Sequence, residues 1–97
     1  MTRRIVFRPE AEDDALEVRH WYEARRKGLG VEFGLAVHEL IARIAANPLA
    51  FQRAHGDTRR AVLARFPYAI YFRAAGEEIV VLALHGRQHQ SRWQGGS

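Results

Sequence analysis

Cysteine is absent from the 97 residues, which removes disulfides, thiolate zinc centres, iron–sulfur clusters and cysteine nucleophiles together. No sign of an oxidising compartment remains, so a reducing cytoplasm is the expected setting. No apolar run approaches the roughly 18 residues of a membrane-spanning helix, and Ile5-Val6-Phe7, caught between Arg4 and Arg8-Pro9, is too short for the apolar region of a signal peptide. No membrane partner is expected. Internal repeats and low-complexity blocks are also missing; only Gly95-Gly96-Ser97 reads as a flexible tail. Residues 1–97 are therefore expected to form one small domain around a single core.

Lysine is almost missing, since fourteen of the fifteen cations are arginine. The formal net charge of +4 is not spread evenly. Residues 1–50 are balanced, whereas residues 51–97 carry seven arginines against Asp57, Glu77 and Glu78. The planar guanidinium pairs bidentately with phosphate or carboxylate, so an acidic partner for the C-terminal half is expected.

The apolar residues present are strongly patterned. A strand is expected over Arg4 to Arg8, stopped by Pro9. Proline at a first helical position, followed by Glu10, Glu12, Asp13 and Asp14, marks a helix start where carboxylates meet the positive end of the dipole. Ala11, Ala15, Val18 and Tyr22 form its apolar stripe, Arg25, Arg26 and Lys27 favour its C-terminal end, and Gly28-Leu29-Gly30 ends it. A second helix is expected from about Val31 to Ala46, where Phe33, Val37, Leu40, Ile41 and Ile44 recur at helical spacing and Asn47-Pro48 closes the run. So short a link makes the pair an αα-hairpin. Three strands follow, over Arg59–Arg65, Tyr68–Arg73 and Ile79–Leu84, turning at Phe66-Pro67 and at Ala74-Ala75-Gly76-Glu77. The fold class is α+β, in the order β-α-α-β-β-β, an antiparallel meander with a helical hairpin packed on one face.

Three groups of residues could carry chemistry. Arg59 and Arg65 share one strand parity and are expected on the helix-free face, with Arg60 on the other; Tyr68 and Tyr71 would add stacking surface for single-stranded RNA. The competing reading is a solvated sheet blunted by charge. His85, Arg87 and His89 cluster at the end of the last strand, where histidine, tyrosine and arginine could supply the base, acid and cation of metal-free phosphodiester cleavage. A strand-end histidine bonded to backbone is the plainer reading of His85. A zinc site from His55, His85 and His89 is not expected, because two histidines four apart outside a helix do not converge; no metal or cofactor is expected. Val31 and Leu35 point away from the stripe of the second helix, either as ordinary exposed residues or as a helix-docking or dimer surface.

Four runs carry a resemblance: Phe7-Arg8-Pro9-Glu10-Ala11; Tyr22 with Gly28-Leu29-Gly30 and Phe33; Ile44-Ala45-Ala46-Asn47-Pro48 with Phe51; and Arg59 through Tyr71. With Val81 to Arg87 and Trp93, the chain resembles, over nearly its whole length, the RelE/ParE superfamily of toxins from bacterial type II toxin-antitoxin modules. Tyr68 stands where the messenger-RNA-cleaving RelE branch has an arginine, and the tail offers Trp93 instead of a tyrosine. Phe66-Pro67-Tyr68 and His85-Gly86-Arg87 are more similar to the ParE branch, plasmid-stabilisation toxins that act on DNA gyrase. The resemblance implies a gyrase poison without a catalytic site, neutralised by a cognate acidic antitoxin, as a homodimer or a heterotetramer with that antitoxin. Arg59, Arg65, Tyr68, Arg87 and Leu35 are the expected antitoxin or target contacts. The alternative is a ribosome-dependent endoribonuclease acting on mRNA, with Arg60 or Arg65 stabilising the phosphorane and His85, with Tyr71, moving the proton. A non-toxic RNA-binding module is the third reading.

Overall fold

The structure, a computed structural model, describes residues 3–86. Strand β1 (Arg4–Phe7) leads into helix α1 (Pro9–Arg25), helix α2 (Leu29–Ala46) and a single 3-10 turn (Pro48–Ala50). Four strands follow: β2 (Gln52–His55), β3 (Thr58–Val62), β4 (Tyr68–Ala75) and β5 (Glu78–Gly86). They form one five-stranded sheet in the order β1-β5-β4-β3-β2. None of the described helices is long and apolar enough to cross a membrane.

The α+β class, the helical hairpin and the antiparallel meander β3-β4-β5 are as the sequence pattern implies. Both edges of the sheet add something. β1 pairs with β5 in parallel, from Arg4 opposite Glu78 to Phe7 opposite Val81, which makes the sheet mixed. β2 pairs antiparallel with β3 and is a strand the sequence did not suggest, because all four of its residues are exposed and show no apolar alternation. The first strand of the expected meander, Arg59–Arg65, also stops early, at Val62.

The hairpin joint is tight because α1 caps α2. Gly28, with φ of 90°, precedes the first turn of α2, and no side chain of its own region closes that end. Glu23 on α1 does so instead: its carboxylate accepts from the Gly28 and Gly30 N–H groups, each at 2.9 Å. These bonds, followed by the nearby charges of Arg19 and Lys27, hold the Glu23 carboxyl below its ordinary value of 4.5. Gly30 has no room for a side chain, since a Cβ would lie 2.7 Å from the Arg19 carbonyl oxygen.

One core lies between the hairpin and the sheet. Ala11, Val18 and Tyr22 of α1 and Phe33, Leu40 and Ile44 of α2 meet Ala61, Ile70, Phe72, Ile79, Val81 and Leu84 of the strands. Because side chains alternate along a strand, residues 60, 62, 69, 71, 73, 80, 83 and 85 fall on the other, helix-free face. A bulge at Leu82 keeps that alternation in step: Tyr71 registers with Ala83 and Phe72 with Val81.

Candidate functional site on the open face of the sheet

Chemistry-bearing side chains gather on the open face by register. Arg60 of β3 stands opposite Tyr71 of β4, and Tyr71 opposite Ala83 of β5; one pair along, Ala69 stands opposite His85. The Arg60 Nε–H donates to the Tyr71 hydroxyl at 3.2 Å. Across the next strand the Tyr71 and His85 rings lie 5.1 Å apart, tilted by 47°. Arg60, Val62, Pro67, Ala69, Tyr71 and His85 border an open cavity of about 630 Å³. Burial pushes the His85 imidazole down from 6.5 to about 4, so it is neutral at physiological pH.

Arg73 belongs to the same face. It lies two residues beyond Tyr71 on β4, opposite Val80, and the sequence reading passed over it. The signal was present, since residues two apart on a strand share a face.

The open face is not populated as expected, because the parity of β3 is reversed. Arg59, not Arg60, points to the helix side, where it donates to the Phe51 carbonyl oxygen at 2.7 Å and secures the chain entering β2. Arg65 lies beyond the strand and pairs with Glu32 of α2 at 2.9 Å; it reaches the rim of the cavity while its guanidinium is held on the α2 side. Tyr68 is 2% exposed and offers no stacking surface. Its ring packs among Tyr22 and Phe33, with centroids 6.2 and 5.7 Å away, and lies against Gly86. Of the four residues considered for phosphodiester cleavage, Arg60, Tyr71 and His85 come together and Arg65 is directed elsewhere. Arg87 and His89 lie outside the described residues. His55 sits on β2, three strand positions from His85 on β5, a separation of roughly 14 Å at the usual strand spacing. Among the described residues no group of three histidines or carboxylates could hold a metal ion.

A second feature lies on the α2 side. Leu35 and Val31 are 59% and 51% exposed, as their position off the apolar stripe implies. Leu35, Glu39, Arg43, Val62 and Arg65 border a groove of about 240 Å³ between α2 and the segment after β3. The residues from 62 to 65 form a wall shared by this groove and the open-face cavity.

Residues 5–90 match the family model described as the ParE toxin of type II toxin-antitoxin system, parDE. Among solved structures, the chain is similar to one from the chromosomal ParDE toxin-antitoxin system of P. aeruginosa. That likeness has a TM-score of 0.77 at 17% identity and covers 88% of this chain and 96% of the other. It is also similar to a chain of the toxin-antitoxin complex RelBE2 of Mycobacterium tuberculosis, with a TM-score of 0.64 at 14% identity, covering 90% of this chain and 100% of that one. At these identities the likeness shows the fold alone. No curated protein matches the sequence.

Proposed function

We propose that this chain, which belongs to the family of ParE toxins of type II toxin-antitoxin systems, acts in the cytoplasm by poisoning DNA gyrase and is kept inactive by a small acidic antitoxin. The observation that favours gyrase over messenger RNA is the partial cleavage set that the described residues place on the open face. Cutting a phosphodiester without a metal needs a base, an acid and enough positive charge to hold the phosphorane. His85, neutral at pH 7, suits the role of base but is a poor acid for the leaving oxygen. Arg65, the alternative to Arg60 as the stabilising cation, is directed away from this face toward Glu32 of α2.

The groove beside α2 suits the antitoxin. Leu35 and Val62 give an apolar seat, and Arg43 and Arg65 stand at its border beside Glu32 and Glu39. An acidic segment that orders on contact could bury its apolar side chains there while its carboxylates meet the arginines. The Glu32–Arg65 pair is no obstacle, because surface ion pairs contribute at most about 1 kcal/mol, and the two side chains are 35% and 66% exposed.

A supercoiling assay with purified gyrase tests the target. The chain should inhibit supercoiling and leave cleaved DNA complexes, with ribosome-bound messenger RNA intact. Cut messenger RNA with unimpaired gyrase is the result that reverses the assignment. Co-expression with the neighbouring open reading frame tests the antitoxin: growth arrest by the chain alone should be relieved, and the two products should co-purify.

A further inference from the structure

The open face of the sheet gathers chemistry that the antitoxin groove beside α2 leaves unassigned. Its described charges are one-sided. Arg60 and Arg73 stand on it, and the one carboxylate there, Glu78, is already paired with Arg4 across the β1–β5 register. Arg60 stands directly opposite Tyr71 and Arg73 two residues along the same strand, so Tyr71 lies between two arginine positions on one face. The Tyr71 ring is half-buried, is fixed at its hydroxyl by Arg60, and meets the His85 ring. Beside them the cavity of about 630 Å³ has an apolar border of Val62, Pro67 and Ala69. That volume lies within the range of small-molecule sites, roughly 300–1,000 Å³, and would hold one splayed nucleotide.

We propose that this face binds single-stranded nucleic acid, with phosphates on Arg60 and Arg73 and one base stacked in the cavity beside Tyr71 and His85, and that it leaves the strand uncut. Stacking platforms combined with cationic tracks are the general solution for unpaired strands, because every base has a π-face and every nucleotide a phosphate. A duplex keeps its bases inside the stack and cannot fill the cavity. The neutral state of His85 fits binding without cleavage, since no imidazolium is present to protonate a leaving oxygen. This inference goes beyond the gyrase reading and does not depend on it.

The test is fluorescence anisotropy of the full chain with labelled twelve-residue oligothymidylate, oligouridylate and a blunt duplex, at two salt concentrations. Both single strands should bind in a saturable way and more tightly than the duplex. A preference between them tells DNA from RNA as the natural strand. Tyr71→Leu should weaken binding about tenfold, in line with the loss of one stacked base. Arg60→Gln and Arg73→Gln should each weaken it and lower the salt slope by about 0.7. Arg53→Gln is the control: it removes the same charge from β2, at a position in register with Arg59 on the opposite side of the sheet, and should change little. Circular dichroism establishes that each variant is folded. Equal losses for Arg53→Gln and Arg60→Gln, duplex bound as tightly as single strand, no saturable binding, or a cut oligouridylate would each overturn the proposal. Gyrase is not in this assay, so failure here leaves the gyrase reading standing, and failure of gyrase inhibition leaves this one standing.

Discussion

On the side of the sheet that meets the helices, Ile70, Phe72, Ile79 and Val81 are at most 1% exposed and pack against Val18, Phe33 and Ile44. On the other side, at the same strand positions offset by one, stand Arg60, Tyr71, Arg73 and His85. The two sides share a backbone, so each strand contributes to stability and to recognition through alternate residues. The first kind of residue should be costly to change for folding and silent for binding, and the second the reverse. A domain of this size has total stability of about 5–15 kcal/mol, so the contrast is measurable.

The largest effect should come from the helix side. Phe33 and Phe72 are buried to 1% and 0% exposure, and truncating such a ring costs about 3–5 kcal/mol. Urea denaturation of Phe72→Ala should show a midpoint near zero denaturant or a chain already unfolded. Arg60→Gln and Arg73→Gln on the open side should stay within about 0.5 kcal/mol of the unmutated protein. An Arg73 variant as unstable as the Phe72 variant would erase the distinction between the sides.

Next in size is the point where the two sides meet. Gly86 ends β5 opposite Tyr68, and a Cβ there would sit 2.2 Å from Tyr68 Cδ2, in a ring held by the aromatic cluster under α1 and α2. Overpacking of this kind costs about 1–3 kcal/mol. Gly86→Ala should therefore lower the Tm, and adding Tyr68→Leu should recover part of the loss. A double mutant whose loss equals the sum of the two singles would mean that the ring is not what the new methyl meets.

Acid should act on the open side first. His85 has a folded pKa of about 4 against its ordinary 6.5 because burial disfavours its charged form. Between those values the unfolded chain binds more protons, so stability rises with pH across the window. The contribution is complete above about 6.5 and is lost as pH falls toward 4. Equilibrium unfolding at pH 7, 6 and 5 should show a decline that is flatter in His85→Gln. An unchanged slope in that variant would place the titration elsewhere.

How much of this arrangement was legible beforehand follows the periodicities. The α2 stripe of Phe33, Leu40 and Ile44 repeats over three turns and left no choice of face. In the run 59–65 both parities carry apolar residues, Ala61 and Leu63 against Val62 and Ala64, so alternation could not say whether Arg59 or Arg60 faced out. Closure of the strand at Val62 then sent Arg65 to α2. Tyr68 and Tyr71, three apart, could not share a face of one strand, and period two alone could have separated them. Applied again, it would have joined Arg73 to Tyr71. The β2 strand and the parallel pairing of β1 leave no such trace, since β2 is polar throughout and pairing direction depends on contacts distant in sequence.

The smallest expected effect lies in neither side but at the joint of the hairpin. Glu23 is exposed, yet both its oxygens accept backbone N–H bonds at the start of α2, from Gly28 and Gly30. Removing the charge weakens those bonds without removing the side chain, so Glu23→Gln should give a modest fall in Tm at pH 7. The pH window differs from that of His85. The folded Glu23 pKa lies below 4.5, so its contribution is present above about 4.5 and lost only as pH falls through the lowered value. The unmutated and Glu23→Gln proteins should therefore differ at pH 7 and at pH 5 by the same amount and converge toward pH 3. The His85 comparison, by contrast, should already narrow between pH 6.5 and 5. Melts of both variants across that range separate the two groups. A Glu23→Gln difference that disappears by pH 5 would show that the carboxylate is not held by the α2 amides in solution.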